Sequence, residues 1–361
     1  MSPAERSYGE LPWTQIITLV ASIIPLPAVL LWTALTKPFA SYNKDRSLKR
    51  ILGDASIRYT SGLKVAQLQY VSGTTSNVYN KWTRSLHLPV AVDELGENAR
   101  LLWIGPKRLD HVVLFCHGGG YLLPASDYSL SFWRHVQLEL EKHKLEVGFA
   151  LLEYTLAPFA GFPTPLNQAR LALEFLFAAG VQPQNIQITG DSAGGNLALQ
   201  LLSHALHPAH SVPELRLSAP IRGILAISPW VCLTADSKSY TENDGNDMVR
   251  KKTLEAWGRE ILSGFPKDYG AFSEPAKAPD SWFEGAPRIV ERVLITAGDA
   301  ECMRDDIVEF SATFKKHHSD TEFVVQKGGL HEDMYLDFFV KERKLGSLTP
   351  LIVEWLAAGF T

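Results

Sequence analysis

Short apolar runs rich in β-branched residues alternate with helically spaced segments along most of the chain beyond Val112. Val112 to Cys116, Gly148 to Leu152, Ile186 to Thr189, Ile224 to Ile227, Val293 to Ala297 and Phe323 to Val325 have the length and composition of buried strands. Leu166 to Ala179 and Asn196 to His207 carry apolar residues at helical intervals. Continuous apolar strands that alternate with helices predict an α/β fold with a mostly parallel sheet, because helices on both faces remove the need for in-out alternation. The loops after the strands' carboxyl ends then gather at one edge, where chemistry is expected.

Two stretches depart from this pattern. Ser41 to Lys107 mixes charged and aromatic residues, and Val231 to Gly285 carries Tyr240, Met248, Trp257, Phe265, Tyr269, Phe272, Trp282 and Phe283 between two strand runs. They predict a cap contributed by about residues 37–107 and 231–285. Its aromatics either shape an apolar substrate pocket or anchor the insertion to the core, and the pattern alone leaves both open.

Residues 1–36 form a separate unit in this reading. No charge occurs between Glu10 and Lys37, and Ile16 to Leu35 is almost wholly apolar, enough at about 1.5 Å per residue to cross a hydrocarbon core of about 30 Å. A membrane anchor is expected. Pro25 and Pro27 would kink a span or make it a re-entrant or surface-lying segment, and a cleaved signal peptide or an arm packed on the cap are the alternatives. Lys37, Lys44, Arg46, Lys49 and Arg50 follow the segment against Arg6 before it, a bias that places domain 37–361 on the cytosolic side. Three scattered cysteines, Cys116, Cys232 and Cys302, and the absence of any Asn-x-Ser/Thr acceptor agree with a reducing compartment.

Composition narrows the function. With 361 residues, 46% of them hydrophobic, the chain can bury one large core plus a cap. A net charge of −4 without a basic stripe gives no reason to expect nucleic acid.

The chemistry begins at Gly190-Asp191-Ser192-Ala193-Gly194-Gly195, between a strand run and a helical one. A Gly-x-Ser-x-Gly turn at that junction is the pattern of a nucleophile elbow: small residues admit the close backbone approach, and the serine Oγ is exposed at a helix N-terminus. Upstream, the strand ending at Cys116 runs into His117-Gly118-Gly119-Gly120-Tyr121. Attack by a serine builds negative charge on the carbonyl oxygen, which preorganised N–H groups must meet. The N–H groups of Gly118, Gly119 and Ala193 are the expected oxyanion hole.

With these motifs the chain resembles the hormone-sensitive-lipase-like family of α/β-hydrolases, which includes carboxylesterases and arylacetamide-deacetylase-like enzymes. Glu153-Tyr154-Thr155-Leu156-Ala157-Pro158 and Phe162-Pro163-Thr164-Pro165-Leu166 are similar to further family segments, with Thr155 where the family has arginine. The likeness covers roughly Leu109 to the C-terminus. It implies an α/β-hydrolase fold with a helical cap, ester hydrolysis without metal or organic cofactor, and an endoplasmic-reticulum membrane location, for which arylacetamide-deacetylase-like members place the catalytic domain in the lumen.

In this fold the triad follows the order serine, acid, histidine. After Val293 to Ala297 comes Gly298-Asp299-Ala300-Glu301-Cys302-Met303-Arg304-Asp305-Asp306. Alignment of Met303-Arg304-Asp305 on the family's string puts Glu301 at the acid's place, with Asp299 the alternative; Asp305 and Asp306 read as carboxylates in a helix's first turn. His331, in the loop after Phe323 to Val325, is the expected base. His317 and His318 read as a solvated helix end, and no histidine–cysteine spacing suggests a metal site. The expectation is a serine carboxylesterase or deacetylase for small apolar esters. Acyl transfer or thioester cyclisation with the same triad, and a non-catalytic receptor on the same fold, are the competing readings.

Overall fold

A computed structural model describes residues 8–40, 43–44 and 46–361. Arg6 lies outside the described residues, as do the other members of the first seven positions.

An eight-stranded sheet runs in the order β1-β2-β4-β3-β5-β6-β7-β8. Its strands are β1 (Val92–Gly96), β2 (Ala99–Ile104), β3 (Val112–Cys116), β4 (Gly148–Glu153), β5 (Ile186–Asp191), β6 (Ile221–Ile227), β7 (Val290–Gly298) and β8 (Thr321–Gln326). All six expected strands are present. They pair in parallel, whereas β1 and β2 add antiparallel strands at one edge. The cap expected over about 37–107 is therefore corrected at its end: residues 92–104 belong to the sheet. Neither β1 nor β2 is among the expected strands: Val92-Asp93-Glu94-Leu95-Gly96 is half polar and largely exposed, and Ala99–Ile104, though buried, lies within the stretch read as cap.

Helices cover both faces. Those before the sheet are α1 (Trp13–Ile23), α2 (Leu26–Thr36), α3 (Leu48–Thr60), α4 (Val65–Ser72) and α5 (Thr75–Ser85). Within it come α6 (Asp127–Lys142), α7 (Thr164–Ala178) and α8 (Ala193–Leu206), then α9 (Lys238–Glu242), α10 (Lys251–Ser263) and α11 (Gly270–Ser273) in the insertion, and finally α12 (Arg304–His317), α13 (Asp333–Phe339) and α14 (Leu348–Ala358). Alternate residues of β3 serve two cores. Val112, Leu114 and Cys116 pack with α7, α8 and α12, while Val113 and Phe115 pack with α6, α13 and α14. A strand buried on both sides must be apolar at every position, which is why these runs are legible in the sequence.

The histidine expected at a solvated helix end is in fact buried. His318 bonds the Val290 carbonyl at 2.9 Å through Nε2 and stacks on Phe314.

An ion cluster fastens α3 to α13. Arg50 reaches Asp54 at 2.7 Å, Asp333 at 2.6 Å and Asp337 at 2.5 Å, and Arg46 bridges Asp54, Asp333 and the Gly328 carbonyl. Burial opposes the ionisation of Asp333, but Arg50 and Arg46 outweigh it and hold its carboxyl below the usual range. The loop between β8 and α13, which carries His331, is held at its base by this cluster.

Candidate active site

Ser192 stands between β5 and α8 at φ +49° and ψ −116°, a conformation that costs a non-glycine residue roughly 1–3 kcal/mol. The surroundings enforce it. Its N–H donates to the Ile227 carbonyl at 3.0 Å and its carbonyl accepts from the Trp230 N–H at 2.9 Å. A Cβ at Gly190 would collide with the Gly194 carbonyl, and one at Gly194 with the Cys116 carbonyl, so the turn closes only with glycine at both positions. Asn196, one helical turn on, ties the elbow to the insertion by donating to the carbonyls of Trp230 and Ser273.

The glycine loop is held from several sides. Tyr154 Oη donates to the His117 carbonyl at 2.7 Å and the Tyr154 ring stacks on the imidazole, which gives the Glu153-to-Pro158 segment its role. Burial pushes the His117 pKa down to about 4, so this histidine is neutral and structural. Gly118 departs from expectation. Its N–H donates to Asp191 Oδ2 at 2.8 Å and is thereby committed. Gly119 and Gly120, at φ +95° and +65°, line the same cavity as Ser192 and their N–H groups meet no protein acceptor among the described residues.

Glu301 and His331 come together. Glu301, wholly buried, accepts from Ser228 Oγ at 2.6 Å and from the Gly298 N–H at 3.0 Å, and the same Oε2 lies 3.9 Å from His331 Nδ1. Glu301 Oε1 and His331 Nδ1 are each without a hydrogen bond, so a modest rotation would join them. Asp299, the alternative acid, instead accepts from the Gly328 N–H at 2.6 Å. Ser192 and His331 line one cavity of about 770 Å³ together with Met248 and Trp257 from the insertion. No hydrogen bond joins their side chains; His331 Nε2 faces Glu332 Oε1 at 3.6 Å.

Three groups were invisible in the sequence. Asp247, buried in the insertion, accepts from the His331 N–H at 3.0 Å through Oδ1 and from the Cys302 N–H at 2.7 Å through Oδ2, stitching the acid and histidine loops together. Ser228 anchors Glu301. Glu332, at φ +51°, turns its carboxyl toward Asp191 and His331. Burial and the neighbouring Asp191, Glu301 and Asp247 raise the Glu332 pKa well above the ordinary glutamate value, which favours its neutral form. For His331, burial opposes the charged form, but Glu301, Asp247 and Asp191 outweigh it and raise the pKa. Asp244-Gly245-Asn246-Asp247 reads locally as a turn, and nothing in it announces a buried carboxylate.

Comparison with known proteins agrees with this fold. A family model described as the α/β-hydrolase fold matches residues 113–334. The chain is 24% identical over 241 residues to mug81 of Schizosaccharomyces pombe, provisionally named a steryl acetyl hydrolase, covering 64% of this chain and 62% of that one. It is 29% identical over 169 residues to arylacetamide deacetylase of Bos taurus, covering 44% and 39% respectively. The matched region thus spans less than two thirds of these relatives' lengths. Among solved structures, an esterase of the bacterial hormone-sensitive lipase family aligns with TM-score 0.66 and 23% identity over 88% of this chain and 99% of that one, a likeness of fold. The chain belongs to the α/β-hydrolase fold family.

Proposed function

We propose that the protein is a serine carboxylic-ester hydrolase that acts on small apolar esters. The observation that carries this is the meeting at one cavity of Ser192 on its strained turn with His331 backed by Glu301. Ser192 Oγ attacks the acyl carbon while His331 Nε2 takes the hydroxyl proton, and Glu301 steadies the imidazolium through Nδ1. The oxyanion is held by the N–H of Ala193 and those of Gly119 and Gly120; Gly118 leaves the set because its N–H is bonded to Asp191. Collapse expels the alcohol with the proton from His331. Water then enters, gives its proton to His331, and releases the acid as the proton returns to Ser192.

Met248, Leu254 and Trp257 in the cavity wall suit an apolar acyl or alcohol group, and relatives named for steryl acetyl and arylacetamide hydrolysis point the same way. The uncharged N-terminal helices support a membrane location, which we assign to the endoplasmic reticulum.

The test is turnover of p-nitrophenyl acetate with fluorophosphonate labelling. Wild type should react at Ser192 with both, and Ser192→Ala with neither. Label elsewhere, or undiminished turnover in the variant, would overturn the reading.

A further inference from the structure

The two faces of the N-terminal helices meet different surroundings. α1 and α2 are separated only by Ile24 and Pro25, which keep right-handed helical backbone, and the ladder continues through Ile24 N–H to Val20 and Val29 N–H to Pro25. The result is a nearly continuous rod from Trp13 to Phe39, 27 residues with mean hydropathy 2.2 over its most apolar window. At about 1.5 Å per residue it is about 40 Å long.

Its inner face rests on the protein. Leu19 and Thr33 are buried, Tyr59 of α3 donates to the Ser22 carbonyl at 2.6 Å, and Gln67 of α4 donates to Thr18 Oγ1 at 3.2 Å and to the Gln15 carbonyl. Leu26, seven residues from each buried position, forms part of the wall of the cavity that holds Ser192.

The outer face carries an apolar stripe at spacings of three, four and seven residues. Trp13, Ile17, Val20, Ile24, Leu31 and Leu35 are 81%, 66%, 56%, 72%, 64% and 62% exposed. Tryptophan stands at its start and Phe39, 87% exposed, at its far end. A protein partner's footprint has a polar rim around an apolar centre, whereas this strip carries no charge from Trp13 to Leu35. Exposed apolar surface of this extent with aromatics at its ends is what an interfacial helix presents to lipid.

We propose that the rod lies flat in the surface of a bilayer, its outer face among the acyl chains and its inner face on the catalytic domain, so that esters dissolved in the lipid reach Ser192 past Leu26. A crossing helix would need lipid on every side. Here one side is occupied by α3 and α4. The substrate class follows: an acylated ring system or long-chain ester that partitions into the leaflet. The entry route rests on the hydrolase reading above, while the docking does not.

Purified full-length protein is floated with phosphatidylcholine vesicles, then assayed on cholesteryl acetate dissolved in them and on p-nitrophenyl acetate in buffer. Wild type should float. The triple variant Ile17→Ser, Ile24→Ser, Leu31→Ser should float at least about tenfold less and lose turnover of the vesicle ester, yet keep soluble-ester turnover within about twofold, which also shows that it folds. Leu26→Trp should float like wild type and turn over the vesicle ester several-fold more slowly.

Wild type that stays in solution, or a triple variant that floats undiminished, overturns the docking. So does a dimer that the triple substitution dissolves without any vesicle binding, since the face would then join two copies. Protection of Glu10→Cys from maleimide-polyethylene glycol added outside sealed vesicles would mean that the rod crosses. Leu26→Trp with unchanged vesicle turnover overturns the entry route alone. Flotation without turnover of either ester would instead reject the hydrolase reading and leave the docking standing.

Discussion

The edge of the sheet and the N-terminal helices solve opposite problems. At the edge, residues 118, 192, 247, 301 and 331 come from five distant stretches and meet in a buried polar network whose loops are tied to one another by hydrogen bonds. In the N-terminal helices, neighbours in sequence lie side by side, and their outer face is apolar and uncovered. Geometry at the edge is fixed by hydrogen bonds whose loss is expensive. The outer face of the rod has no such bonds to lose, so its substitutions should move location and leave chemistry alone. Substitutions within the edge should do the reverse.

The hardest test of that contrast is Glu301. Glu301→Gln preserves shape but removes the charge that steadies imidazolium, so kcat for p-nitrophenyl acetate should fall by roughly 10³–10⁴-fold. Asp299→Asn, which disturbs the bond to Gly328 and leaves Glu301 in place, should cost no more than about tenfold. A larger loss at Asp299 would reverse the assignment of the acid.

The ion cluster joins the two regions and is the next largest effect. Arg50→Leu strands Asp54, Asp333 and Asp337 in a buried site without their shared partner, at a cost of about 3–5 kcal/mol measured by urea unfolding near neutral pH. The sign with pH is fixed by Asp333, whose carboxyl is held below the usual range. Its contribution is present above the unfolded pKa and is lost as pH falls through the folded value, so wild type and variant should converge in acid. A gap that is constant down to strongly acid pH would show that packing, not charge, accounts for the loss.

Legibility in the sequence follows the same division. Strands buried on both faces, the glycine-bounded serine and the histidine loop each leave a local mark, because sterics or burial forces a residue type at a fixed spacing. β1 left none, being a polar edge. Which glycine supplies the oxyanion hole depends on where the Asp191 carboxylate turns, a contact 73 residues apart in the chain. Asp247 and Ser228 were hidden for the same reason: each acts on a loop remote from it in sequence. Apolar character made the N-terminal rod conspicuous, but only packing against α3 and α4 distinguishes lying flat from crossing.

Asp247 offers a finer probe of the edge. Asp247→Asn keeps an acceptor for the His331 N–H, removes a negative charge that raises the His331 pKa, and turns an amide toward the Cys302 N–H. Catalysis needs neutral imidazole, so the acid limb of kcat/KM, which lies above the ordinary histidine value in wild type, should move to lower pH. Unfolding should show a loss of about 1–3 kcal/mol from the mispaired Cys302 N–H. An acid limb that stays in place would mean that Asp247 acts on His331 only through the backbone.

Glu332 should show the smallest effect, and its smallness is the informative result. Its carboxyl lies 3.6 Å from the nitrogen that must receive the serine proton, close enough to form an ion pair with imidazolium if it were charged. A charged Glu332 would compete with Ser192 for that nitrogen and would add to the upward shift of the His331 pKa. Burial and the adjacent Asp191 raise its pKa and so favour the neutral form, in which the charge is withheld while the hydrogen-bonding shape is retained. Glu332→Gln imitates the neutral acid, and its kcat/KM profile should superimpose on wild type with a change below about threefold. Glu332→Ala, which leaves the Asp191 carboxylate with only the Gly118 N–H and Tyr335 Oη as partners, should cost more than the glutamine. If glutamine instead moves the acid limb as far down in pH as asparagine does at Asp247, then Glu332 is ionised in the resting enzyme and a second carboxylate holds His331 away from Ser192.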